Sequence, residues 1–278
     1  MDLNWLQSIL YGFLSGLTDI LPVSAQAHKV LLLKFFGIKG NMQTMDLLIQ
    51  LAVFAALYVS CQSQLIRMSR ARALARVPKK KRKRPLDVRS LMDLSMLKTM
   101  LIPVILGLLV YRRAAELKSN LMLVAIFLLL NGIIMYVPQF LPSSNRDSRT
   151  LSRVEGLLMG LGGAASVLPG VSAIGAAASI GSVCGVDRVY GLNMALLMDL
   201  FLTLGLLVYD VMAVVGTGVG TLSFLILVRY LLTALIAFVG AMLGIKLLRS
   251  LAANHGLTLL ALYCVGLSLF TFILNLMA

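Results

Sequence analysis

Six stretches of this chain are long and apolar enough to cross a lipid bilayer: 45–62, 95–111, 121–138, 191–212, 223–247 and 257–277. A crossing helix needs about 20 such residues. Two further apolar stretches, 5–36 and 152–184, are too long for one crossing. Each is interrupted near its middle, the first by Pro22 and the second by Pro169-Gly170. Open backbone at mid-membrane survives only where protein or a wet cavity covers it. Both stretches therefore read as re-entrant hairpins, each made of two short half-helices. Composition agrees. The chain is 59% hydrophobic and 13% charged, with a mean hydropathy of +0.93, whereas a soluble domain carries about 25% charged residues. The expected fold is an all-α integral membrane protein with six transmembrane helices and two re-entrant helical hairpins, forming one membrane domain over 1–278.

The two halves share an order of parts. Each has a small-xxx-small helix (Gly12/Gly16 and Gly156/Gly160), a Pro-Ser break, and then a crossing with one polar residue, Gln50 or Asp199. Each half contains one hairpin and three crossings. Three is odd, so the second half starts on the opposite side of the membrane, which is an inverted-topology repeat. Repeat one covers 1–138, with its hairpin at 5–36 and a basic loop at 63–94. Repeat two covers 152–278, with its hairpin at 152–184. The linker 139–151 lies between them. Small-xxx-small faces let helices approach closely and permit a homodimer.

The net charge of +14 is concentrated: twelve of the 25 Lys and Arg fall between Arg67 and Lys98. Such a run can mark a nucleic-acid patch. In a chain this hydrophobic it reads as a cytoplasmic segment on anionic lipid headgroups, over 67–89, with no nucleic-acid partner. The positive-inside rule then places 63–94, 139–151 and 248–256 in the cytoplasm and both termini outside. Cys61, Cys184 and Cys264 are widely spaced and in apolar contexts, and read as small core residues rather than a metal or disulfide set.

Ionisable residues at membrane depth are functional candidates by default. Asp19 lies four residues after Ser15, so both share one helical face. His28 lies just past the first break, with Ser24 and Gln26 before it. Ser172 and Ser179 flank the second break, and Asp187 and Arg188 follow it. Half-helices starting near Ser24 and Ser172 would direct free amides at one centre, an anion site, with the two serines as N-caps. Gln50 and Asp199 read as polar pins between crossings.

At these residues the sequence resembles the undecaprenyl pyrophosphate phosphatase, or bacitracin-resistance, family. The family's first motif ends Leu-Pro-Val-Ser-Ser-x-x-His. It stands here as Leu21-Pro22-Val23-Ser24-Ala25-Gln26-Ala27-His28, after Ser15 and Asp19. Its second motif, Pro-Gly-x-Ser-Arg-Ser-x-x-Thr, stands as Pro169-Gly170-Val171-Ser172-Ala173-Ile174-Gly175-Ala176-Ala177. Gly185-Val186-Asp187-Arg188 matches a following Gly-Val-x-Arg. The resemblance implies removal of the terminal phosphate of undecaprenyl pyrophosphate at the outer face of the bacterial cytoplasmic membrane, in cell-wall lipid recycling, with magnesium or calcium. It implies catalytic roles for Asp19, His28, Ser24 and Ser172, with Asp19 as the metal ligand. Phosphate or lipid contacts would fall to Ser15, Gln26, Gly170, Ser172 and Arg188. The partner it implies is a polyprenyl phosphate or pyrophosphate lipid.

The chain departs from the family at Ser15, where the first acidic residue would be, and at Ala25, Ala173, Ile174 and Ala177. Asp19 is one methylene shorter than the usual glutamate. An arginine clamp contributes about 10³–10⁵ in phosphoryl-transfer rate. Its absence at Ala173 leads to the expectation of lipid-diphosphate binding with weakened or lost hydrolysis. Lys29, Lys34 and Arg188 are the available replacements. The alternatives are an active diphosphatase with a rebuilt site, and a polyprenyl-phosphate transporter or non-catalytic partner subunit.

Overall fold

A computed structural model describes residues 3–38, 42–142, 144–217, 223–254 and 257–277. Ten α-helices are seen among them: α1 Trp5–Ile20, α2 Ala25–Phe35, α3 Gln43–Ala75, α4 Val88–Ala115, α5 Leu121–Tyr136, α6 Arg153–Ala164, α7 Ala173–Val183, α8 Arg188–Thr217, α9 Phe224–Asn254 and α10 Thr258–Leu276. Six of these, α3, α4, α5, α8, α9 and α10, are long and apolar enough to cross a membrane. They correspond to the six stretches read from the sequence, and the protein is a multi-pass membrane protein.

The basic segment needs correction. It is not a loop over 63–94. Helix α3 carries Arg67, Arg70 and Arg72 onward to Ala75, and α4 begins at Val88 behind an N-cap from Asp87. Ala, Leu, Arg and Met are good helix formers, and no proline intervenes before Pro78. What is left between the helices contains a short 3-10 turn at Lys79–Lys81. The segment 248–256 is likewise helical as far as Asn254, and residues 255–256 lie outside the described set.

Both long interrupted stretches are helix pairs. Helix α1 stops at Ile20 because the residue before a proline is pushed out of the helical region. Leu21 is accordingly extended, with φ −66° and ψ 135°. Helix α2 restarts from Ser24. In the second pair a 3-10 turn at Ala165–Val167 follows α6, and α7 restarts from Ser172. At 1.5 Å per residue α1 is about 24 Å long and the other three are shorter.

The small-residue helices pack crosswise between the halves: α1 lies on α9, and α6 on α4. A Cβ added to Gly16 would sit 2.0 Å from the Ala237 carbonyl oxygen. One added to Gly160 would sit 2.2 Å from that of Met100. These glycines let backbone meet backbone inside the chain, so intramolecular packing occupies the faces that had suggested a homodimer. The pairs α5–α10, α3–α9, α3–α8 and α4–α8 add further contacts between halves.

Candidate active site

The breaks in the two helix pairs meet. A Cβ on Gly175 would lie 2.5 Å from Cβ of Pro22. Between them stands Asn131 of α5, fully buried. Its Nδ2 donates to the Pro22 carbonyl at 3.0 Å, and its Oδ1 accepts from the Ser172 amide at 2.9 Å. Asn131 is the one strongly polar side chain within Leu121–Tyr136, which was a signal available in the sequence.

Ser24 and Ser172 cap the restarted helices. The Ser24 hydroxyl accepts from Ala27 N at 3.4 Å, and that of Ser172 from Gly175 N at 3.3 Å. Among the described residues Ser24 is the only non-glycine with positive φ, at 66°. That conformation is costly for a side chain with a Cβ and is held where surrounding structure enforces it. Gly170, at φ 129°, turns the second break. A Cβ there would meet the Leu128 backbone at 2.7 Å.

A cavity opens beside the joined breaks. Its inner lobe is lined by Asp19, Ser24, Gln26, Gln50, Ser166, Ser172, Ala173 and Asp199, among others. Its outer lobe shares Asp19, Gln26, Gln50 and Tyr111 and adds Tyr11, Lys29, Asp46, Lys118 and Asp210. Six helices and the 3-10 turns at Ala165–Val167 and Glu116–Ser119 supply the side chains of the two lobes. Lys29 forms an ion pair with Asp46 at 2.9 Å, and Tyr11 donates to the same Asp46 oxygen at 2.9 Å. Lys118 donates to the Tyr111 hydroxyl at 3.4 Å. The Gln26 side-chain oxygen is buried without a hydrogen-bond partner.

The remaining sequence candidates lie elsewhere. His28 faces α10. Its Nδ1 donates to the Ser24 carbonyl at 2.8 Å, because a carbonyl only accepts. Its Nε2 lies 2.8 Å from the Tyr263 hydroxyl, with the rings stacked. Both imidazole nitrogens are engaged, and His28 does not line the cavity. Ser15 is buried with an unpartnered hydroxyl, outside the cavity wall. Arg188 donates to the Pro138 carbonyl at 3.1 Å and lines a different cavity. Sequence reasoning missed Asp46, Tyr111, Lys118, Asp210 and Asn131, and read Gln50 and Asp199 as pins although both line the cavity.

Among the described residues no three His, Cys, Asp or Glu side chains converge as a closed metal cage. The donors fit a different mode, in which magnesium is held by one or two carboxylates together with substrate phosphates and water. Asp19, Asp199 and Asp210 line the cavity, and none makes an ion pair within the described residues.

Comparison with known proteins finds relatives over nearly the whole chain. An undecaprenyl-diphosphatase of Methanobrevibacter smithii is 28% identical over 274 residues, covering 95% of this chain and 96% of its own. That of Renibacterium salmoninarum is 26% identical over 273 residues, covering 98% and 96%. That of Thermosipho melanesiensis is 23% identical over 268 residues, covering 96% and 98%. The family model described as bacitracin resistance protein BacA matches residues 8–270, and this chain belongs to that family.

Proposed function

We propose that the protein binds a polyprenyl diphosphate with its head group in the two-lobed cavity and removes the terminal phosphate, slowly. The observation that carries this reading is Lys29 on the cavity wall that also bears Asp19. Ala173, where the family's arginine would stand, lines the same cavity without charge. The compensating ammonium groups come from α2 and from the turn holding Lys118. The starts of α2 and α7 add anion-binding amides.

A water oxygen would bond to the terminal phosphorus. The bond from that phosphorus to the bridging oxygen would break, leaving inorganic phosphate and a polyprenyl monophosphate. Lys29 and Lys118 hold the phosphates, and the capping hydroxyls of Ser24 and Ser172 keep an O–H free for phosphate oxygens. Asp19 is the residue to hold magnesium or calcium, whose charge would stabilise the developing negative charge. Lysine is a compact point charge and lacks the planar fork of arginine, which is why the rate is expected to be low.

In this reading α1–α2 and α6–α7 are re-entrant pairs, each helix being shorter than the ~30 Å hydrocarbon core. The basic ends of α3 and α4 face the cytoplasm, where each Lys or Arg near anionic headgroups contributes about 1 kcal/mol. Asp46, Tyr111 and Asp210 lie toward the opposite ends of their helices, so the cavity opens to the outer leaflet of the cytoplasmic membrane.

The test is phosphate release from undecaprenyl diphosphate by detergent-purified protein with magnesium. Slow release that needs the metal, is lost in Asp19→Ala and is weakened in Lys29→Met is the expected result. Absence of both release and saturable binding would overturn the reading.

A further inference from the structure

Arg188 takes no part in the cavity just described. Along the single helix α8, Arg188 and Asp210 are separated by about 33 Å at 1.5 Å per residue. At its own end of the bundle, Arg188 lines a second cavity with Gln139, Ser179, Ser182 and Thr258. Among the described residues no acidic side chain lines it.

Three independent features converge there. Arg188 donates to the Pro138 carbonyl and has no carboxylate within ion-pair distance among the described residues. Ser179 is 1% exposed, and its hydroxyl has no hydrogen-bond partner. A buried polar atom in that state calls for a partner, such as a bound water or ion. Helix α10 starts on the same wall, with Leu257 and Thr258, and among the described residues no side chain caps it. Its first amides and the positive end of its dipole therefore lie beside the cavity.

We infer that this second cavity is an oxyanion site that takes a phosphate group, held by the Arg188 guanidinium, the Ser179 hydroxyl and the first amides of α10. The three groups, from α8, α7 and α10, are N–H or O–H donors lining one cavity, which suits a compact anion with several acceptor oxygens. The same chemistry recognises free phosphate and a phosphomonoester lipid headgroup. The site does not depend on the reading of the Lys29 cavity.

The experiment is equilibrium binding at fixed ionic strength to the purified full chain, using radiolabelled inorganic phosphate and, separately, short-chain phosphatidate in micelles. In a Lys29→Met background, which removes a phosphate ligand of the first cavity, Arg188→Gln should weaken the remaining binding at least tenfold and Ser179→Ala about threefold. Ser179→Ala removes one hydroxyl only, and keeps the test decisive should Arg188→Gln fail to fold. Arg188-dependent binding of inorganic phosphate assigns the free anion as ligand, and dependence seen with phosphatidate alone assigns a lipid headgroup. Wild-type protein that binds neither probe, or either added substitution leaving binding as tight as in Lys29→Met alone, would overturn the inference.

Discussion

The side-chain amide of Asn131 donates to the Pro22 carbonyl at 3.0 Å, tying a crossing helix to the break between α1 and α2. The same side chain accepts from Ser172 N at the other break. One residue thus satisfies two backbone groups that the proline breaks expose in the protein interior.

Replacing Asn131 with Leu keeps the volume and strands both groups. Each stranded buried group costs about 1–3 kcal/mol. Unfolding titrations in mixed detergent should show this loss. Asn131→Asp, neutral at this depth, keeps an acceptor for Ser172 N and an O–H donor for Pro22, and should fall between Leu and wild type.

The crossing of α1 on α9 admits no methyl group. Gly16→Ala would press a Cβ against the Ala237 backbone, and overpacking of this kind costs about 1–3 kcal/mol. Gly266→Ala is the control, since nothing lies within 4 Å of the added atom and alanine favours helix. It should leave unfolding unchanged or slightly harder.

Lys29→Met should lower kcat/KM for phosphate release by about 10²–10³, the usual effect of removing one preorganised electrostatic donor. It also removes the ion pair of Asp46 and leaves its hydrogen bond from Tyr11. Lys29→Met combined with Asp46→Asn should recover folding stability but not activity, which separates the phosphate role from the structural ion pair.

His28→Gln should change phosphate release per folded molecule by only a few fold, because both ring nitrogens already bond to Ser24 and Tyr263. The loss should appear in thermal stability, and Tyr263→Phe should reproduce part of it. A collapse of kcat with unchanged stability would contradict the geometry.

Hydrogen bonds from the Arg149 side chain and backbone hold the Asp147 carboxyl below the ordinary carboxylate range. A carboxyl depressed in the folded state adds stability that is complete above its unfolded pKa, near ~3.9. That contribution fades as pH falls through the lower folded value. The melting temperature of wild type should therefore drop more steeply than that of Asp147→Asn as pH falls below about 4.

Much of the framework was legible along the chain. The number of crossings follows from apolar length, and the two breaks from Pro22 and Pro169. The capping roles follow from serines placed just ahead of restarted helices, and the close approaches from glycines four apart. Each of these is dictated by backbone sterics or by solvent preference within a few residues. The extent of the basic helices was not legible, since charge density reads as loop although arginine and alanine continue a helix well.

The site itself was decided by tertiary structure. Asp46, Tyr111, Lys118 and Asp210 carry no local pattern that distinguishes them from residues at a membrane boundary, and only the packing of α3, α4 and α8 on one another, with α2 held against α1, brings them to the cavity that Lys29 lines. His28 and Lys29 are neighbours in sequence, yet they project about 100° apart around a helix, so one faces Tyr263 and the other the cavity. Arg188 matches a family motif and stands at the far end of the bundle. Sequence determines which segments are helical and where they break, because those preferences are local. Which side chains share a cavity depends on helix rotation and crossing, and these are set by contacts between residues far apart in the chain.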